Sequence, residues 1–195
     1  KIYPRAVHGW FAAWRWALVW VTQLVFYGLP WLQWNGRQAV LLDLEARRFF
    51  IFNLVLYPQD FVYLTALLLI SAYALFFFTA VAGRLWCGYA CPQTVYTELF
   101  MWVERQFEGD RTLRMKLDAA PWTWGKVMRR AGKWTIYLAI AFWTGGAWIM
   151  YFSDAPTMVR DFWSGTASPV AYITVAVLTL TTFALGGFMR EQVCI

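Results

Sequence analysis

Charge and histidine are both scarce in this sequence. Only 14% of its 195 residues are Asp, Glu, Lys or Arg, against about 25% in an ordinary soluble domain. The one histidine, His8, sits in the N-terminal arm and reads as a solvated or interfacial side chain. A bis-histidine haem within this chain is therefore excluded. Three cysteines are too few for the disulfide framework of a small secreted domain, and zinc would need a fourth ligand that they do not supply. No phosphate-binding glycine loop and no Ser-His-Asp pattern occurs. The apolar runs hold no carboxylate, which argues against a proton- or sodium-coupled transporter.

What is abundant is apolar and aromatic. Hydrophobic residues make up 61% of the chain, with 14 Trp, 10 Tyr and 16 Phe, as expected of a protein with aromatic belts at two membrane interfaces. A hydrocarbon core of about 30 Å takes about 20 apolar residues as a helix. Four runs qualify, over residues 16–34, 61–82, 134–152 and 170–188, and none contains a charged residue or histidine. The net charge of +6 is not the stripe of a nucleic-acid binder, because its bases fall between these runs. Lys1, Arg5, Arg15, the bases from Arg84 to Lys133 and Arg190 would share one side. Arg37, Arg47, Arg48 and Arg160 would share the other. The excess of bases puts both termini and the central loop 83–133 in the cytoplasm. The N-terminal arm lacks a signal-peptide cleavage pattern and reads as a juxtamembrane segment. Beginning without Met and stopping in mid-pattern at Ile195, the chain reads as the ordered part of something longer.

The expected fold is an all-α membrane protein, a single membrane domain over residues 1–195 with four transmembrane helices, multi-pass in a bacterial inner membrane. Two smaller elements accompany them. Residues 38–53 hold two apolar runs around a charged turn from Asp43 to Arg48, the pattern of a small periplasmic β-hairpin; a short amphipathic helix is the alternative. In the central loop, Pro92 suits a first helical position. Tyr96, Phe100, Val103 and Phe107 then recur at helical spacing, with Glu98, Glu104, Arg105 and Glu108 off that stripe. The spacing predicts a cytoplasmic interfacial helix on the inner leaflet, ended by the Glu108–Arg111 segment. The second outer loop, 153–169, is turn-rich and carries no chemical signal.

The chemistry concentrates in the segment from Gly83 to Gln93, GRLWCGYACPQ. Cys87 and Cys91 are four apart and Pro92 follows. Proline disfavours the α conformation for the residue before it, so Cys91 is expected as the N-cap of the following helix, with 87–91 a turn and Gly88 free to turn left-handed. A turn feeding a helix N-terminus offers N–H groups to an anionic centre, and Arg84 adds charge. Such a setting favours the thiolate needed for metal binding and redox chemistry. Cys-x-x-x-Cys-Pro also matches the end of the bacterial ferredoxin ligand run, without its preceding cysteines. The fourth run ends GGFMREQVCI, so Arg190 precedes Cys194 much as Arg84 precedes Cys87. This weak repeat would bring Cys87, Cys91 and Cys194 together on one face of the bilayer around a metal. Taken singly, Cys194 reads as packing, and Arg84 and Arg190 as ordinary interfacial anchors.

These residues resemble a known family, the cytochrome c oxidase accessory proteins called CcoG, FixG or RdxA. The resemblance rests on Tyr57–Phe61 (YPQDF), Ala82–Arg105 (AGRLWCGYACPQTVYTELFMWVER), Glu108–Arg111 (EGDR), Met115–Asp118 (MKLD), Pro121–Trp122, and Arg190–Ile195 as the start of a second Cys-x-x-x-Cys-Pro motif. It implies that Cys87 and Cys91 form the first of the family's two motifs and that Cys194 opens the second, as metal ligands and redox residues; by the chemistry of the residues themselves, Arg84 and Arg190 would stand beside the cofactor. It also implies a ferredoxin-like cytoplasmic part with [4Fe-4S] clusters, absent from these 195 residues, and reduction of Cu(II) to Cu(I) for assembly of a cbb-type oxidase. The implied partners are the lipid bilayer, copper ion, the ferredoxin-like domain and oxidase assembly factors, with no nucleic acid. Two alternatives stay open. One is a copper-binding assembly factor without redox turnover. The other is a membrane anchor that docks a ferredoxin domain through Arg111, Arg114 and Lys116.

Overall fold

The computed structural model describes residues 3–4, 9–44, 46–83, 85–89 and 91–189. The chain is mostly helical and falls into two units, one over Lys1–Val19, Tyr89–Gly145 and Ala176–Ile195, the other over Trp20–Gly88 and Gly146–Val175. In chain order the elements begin with helix α1 (Trp10–Gly28), strands β1 (Gln33–Trp34), β2 (Arg37–Gln38), β3 (Val40–Asp43), β4 (Arg48–Ile51) and β5 (Leu54–Leu56), and helix α2 (Phe61–Ala82). Helices α3 (Leu85–Tyr89), α4 (Pro92–Glu108), α5 (Arg111–Ala119), α6 (Trp124–Ile149), α7 (Ala155–Ser164) and α8 (Pro169–Gly187) follow.

Each of the four expected apolar runs is a helix or most of one. Two stretches, Pro58–Ala82 and Pro169–Gly187, are long and apolar enough to cross a membrane. The other two differ from the expectation at their ends. α1 stops at Gly28, because Pro30 opens a separate 3-10 turn and cannot donate to a continuing α-helix. α6 starts at Trp124, well before residue 134. A hydropathy window ends at charge, but a helix does not. Two of the bases in its first turns are tied down: Lys126 donates to the carbonyls of Asp118 and Ala120 at 3.1 and 2.6 Å, and Arg130 pairs with Asp118 at 2.7 Å.

In the first unit, the helix expected on the leaflet is instead packed into protein. Phe100 and Val103 of α4 and Tyr137 of α6 form a buried cluster, with Tyr96, Phe107, Trp134, Ile140 and Phe183 against it. The stripe read from the sequence is correct and its cover is different: α6 and α8, not lipid. The Tyr137 hydroxyl donates to the carbonyl of Phe100 at 3.1 Å. Gly186 of α8 leaves room for the Phe100 ring, since a Cβ there would stand 2.0 Å from a ring carbon.

The acids off the stripe are buried too. Arg114, 4% exposed, lies 2.9 Å from Glu104 and 3.6 Å from Glu108, and Lys133 reaches Glu108 at 2.6 Å. α4 is thus clamped by α5 and α6 through opposite charges. Arg114 is committed to this network and is not presented to a docking partner, which corrects that part of the anchor reading. The segment from Glu108 to Arg111 does end α4, but helix α5 starts at once, with Asp110 as its N-cap.

In the second unit the expected hairpin is present and the helical alternative is not. β3 and β4 pair antiparallel from Val40↔Ile51 to Asp43↔Arg48. The Asp43 carboxylate accepts from the Ala46 N–H at 2.8 Å and closes the turn. A third strand, β5, adds to β4, and β1–β2 form a separate ribbon, so the chain is not wholly α. Buried Gln38 holds this region to the start of α7. Its amide donates to the carbonyls of Val40 and Met150, and its oxygen accepts from the Ala155 N–H. The second outer loop, expected to be turns, contains α7. Asp154 caps it, accepting from the Thr157 N–H at 3.4 Å and from the Thr157 hydroxyl at 2.7 Å, and Gly165 ends it at φ +80°. A short capped helix among turn residues has the composition of a loop.

Candidate metal and redox site

The motif begins where α2 ends. Gly83 takes φ +63°, a conformation open to glycine and strained for other residues. The left-handed turn expected at Gly88 is therefore at Gly83. Gly88 lies inside α3, as does Cys87, so 87–91 is part helix and not a simple turn. Leu85–Tyr89 then closes a short helical turn with Gly88 inside it.

Cys91 is where the sequence places it. It is the N-cap of α4, extended at φ −63° and ψ 129°, with Pro92 at the first helical position. Its carbonyl accepts the first helical bond, from the Val95 N–H at 3.1 Å. The Cys91 side chain makes no capping hydrogen bond, and it stands at the positive end of a 17-residue helix. Cys87 is exposed, Cys91 is half-buried, and neither is in a disulfide.

Of the other expected site residues, Arg84, Arg190 and Cys194 lie outside the described residues. Their convergence with Cys87 and Cys91 stands as an expectation. Each unit, taken by itself, holds one cysteine of the motif. Among the described residues no group of three or more His, Cys, Asp or Glu side chains is placed to hold a metal ion.

A cation that the sequence reading counted only toward the excess of bases on one side does stand beside this segment. Arg15 of α1 pairs with Glu98 of α4 at 2.5 Å, and its guanidinium lies 5.7 Å from the Tyr89 ring. Arg15 thus touches residues on both sides of Cys91, two before it and seven after. The signal was available: Arg15 is the one charge in α1, and a base within an aromatic run needs an acid or a ring for company.

The donors fit an iron–sulfur group in kind. Such clusters are held by cysteine thiolates, and the N-terminus of α4 favours an anionic centre there. Cys87 and Cys91 would be the ligands this segment supplies, and two thiolates do not complete a ligand set by themselves.

Residues 64–108 match a family described as a 4Fe-4S binding domain. Over its whole length the chain is 49% identical to Protein RdxB and 47% identical to Protein RdxA, both of Cereibacter sphaeroides. It is also 47% identical to Nitrogen fixation protein FixG of Rhizobium meliloti. The chain spans 42%, 42% and 38% of these relatives' lengths, respectively. No solved structure matches it. The motif, its place at the head of α4 and this end-to-end similarity agree, and the chain belongs to the FixG/RdxA family.

Proposed function

We propose that this chain is the membrane part of a redox protein in which Cys87 and Cys91 hold an iron–sulfur centre at the cytoplasmic face. The observation that carries the reading is Cys91 as the N-cap of α4, with Pro92 behind it, inside the stretch matched to the 4Fe-4S binding domain. Pro92 keeps Cys91 out of the helix, so the thiol sits at the helix mouth. There the dipole stabilises negative charge. An iron–sulfur centre, when bound, supplies single-electron transfer. This chain's own part is to supply the two thiolates, keep α4's positive end at Cys91, and brace α4 from behind through Arg15, Arg114 and Lys133.

In this reading the four long helices span the bacterial inner membrane, with both termini and the 83–133 segment in the cytoplasm. The electron acceptor proposed is copper, as substrate. Cu(II) takes one electron and becomes Cu(I), and the donor centre is oxidised by one. Soft thiolate donors prefer Cu(I), which favours reduction of copper bound near them. The resemblance to the oxidase accessory family supports a cbb-type oxidase as the destination.

The test is anaerobic Cu(II) reduction by the pre-reduced full-length protein, followed with a Cu(I) chelator. Stoichiometric Cu(I) formation that is lost in Cys87→Ser/Cys91→Ser supports the reading. Cu(II) reduction undiminished in that double variant overturns it. Copper binding without any dependence on a reductant would favour an assembly factor that relays Cu(I).

A further inference from the structure

α4, the element expected at the leaflet, has its apolar stripe covered by protein. The corner between α5 and α6 has not. Trp122 and Trp124 there are 73% and 78% exposed, and Met128 follows at 58%. Arg111 and Lys116 of α5 and Arg129 of α6 are exposed as well, and none of the three forms an ion pair with a described acid. The other bases of the corner are spent internally: Arg114 on Glu104 and Glu108, Arg130 on Asp118, Lys126 on two carbonyls. The corner is therefore a braced platform, and its uncovered side chains are large aromatics and cations.

We propose that this corner is a binding surface for anionic phospholipid headgroups. Indole rings favour the headgroup level of a bilayer, and basic residues beside them are drawn to anionic lipid. Charge complementarity selects the occupant: an apolar partner would leave the three cations unmatched, and a zwitterionic lipid surface would offer them little net attraction. Lys126 and Arg130 also lie 5.4 and 5.3 Å from the Trp122 ring centre, so the ring is held and not left to rotate freely. The proposal rests on the membrane reading above and adds a lipid class and a location to it.

The experiment uses the full-length protein, delipidated in mild detergent and titrated with phosphatidylglycerol or phosphatidylcholine, with bound lipid counted by native mass spectrometry. Wild type is expected to take up phosphatidylglycerol in preference, and less so at high salt. Arg111→Gln/Lys116→Gln/Arg129→Gln should weaken that uptake by at least about tenfold, while Arg160→Gln, an exposed base on α7, should leave it unchanged. Equal uptake of both lipids by wild type overturns the inference. So does a preference that survives in the triple variant, in particular one accompanied by loss of an acidic protein partner. The underlying membrane reading fails separately. A chain that leaves the membrane in alkaline carbonate without detergent overturns both, whereas one that needs detergent and shows no lipid preference overturns only the lipid surface.

Discussion

Cys87 and Cys91 share a motif but have different backbone duties. Cys91 is held extended by Pro92, whereas Cys87 sits within a short helix. Replacing Pro92 with Ala removes the restriction and lets α4 extend backward over Cys91. The expected outcome is loss of iron in anaerobically purified protein with little change in its thermal unfolding; retention of iron at the wild-type level would show that the N-cap geometry is dispensable. Arg15 carries a second expectation. Arg15→Ala leaves Glu98, 8% exposed, without its cation. The cost should be about 1–2 kcal/mol, moderated by the partial exposure of the Arg15 side chain. Thermal unfolding in detergent measures it, and Arg15→Lys should recover part of the loss. At this scale the sequence was informative where chemistry is local. The Cys91 cap follows from Pro92 alone. The Arg15–Glu98 pair joins residues 83 apart in sequence, and no local pattern names the partner.

α4 shows what periodicity can and cannot tell. Tyr96, Phe100, Val103 and Phe107 identify its apolar face, and that face is the buried one. Periodicity gives the face and is silent on its cover, and lipid and protein are equally apolar covers. The acids off the stripe look solvated in sequence, yet Glu104 and Glu108 meet Arg114 and Lys133, whose approach depends on the α5 and α6 packing. Arg114→Leu should therefore be severely destabilising, by about 3–5 kcal/mol, because it takes a buried cation away from Glu104 and leaves Glu108 with Lys133; a loss near zero in urea or thermal unfolding would mean that the acids are solvated after all. Gly186→Ala should cost about 1–3 kcal/mol by driving a methyl into the Phe100 ring, and Phe100→Leu in the same chain should restore part of it. Helix α7 went unread because Pro, Ser, Asp and Gly serve both as its caps and as loop residues. The hairpin was legible because β3 and β4 bracket a charged turn.

For the whole molecule, composition and long apolar runs identified the four long helices, and the distribution of Lys and Arg supplied the proposed orientation. α2 makes the membrane reading concrete. It is apolar on every side and none of its core stretch is buried in protein, so water is an unsuitable surround for it. Residue-by-residue labelling of single-cysteine variants with a membrane-impermeant maleimide should find positions in 111–129 reactive only from the cytoplasmic side and positions in 44–54 only from the other. The reverse pattern would invert the topology and put the motif on the wrong face for a cytoplasmic electron donor. Two cysteines in one segment do not by themselves name the element they bind, so the centre itself is the central claim. The most direct measurement is iron and acid-labile sulfide per chain, with the reduced electron paramagnetic resonance spectrum, in full-length protein purified without oxygen and in its Cys87→Ser/Cys91→Ser variant. The account predicts that the variant loses iron and sulfide together along with one cluster signal, while remaining folded and in the membrane. Unchanged iron, sulfide and spectrum in a folded variant would contradict it.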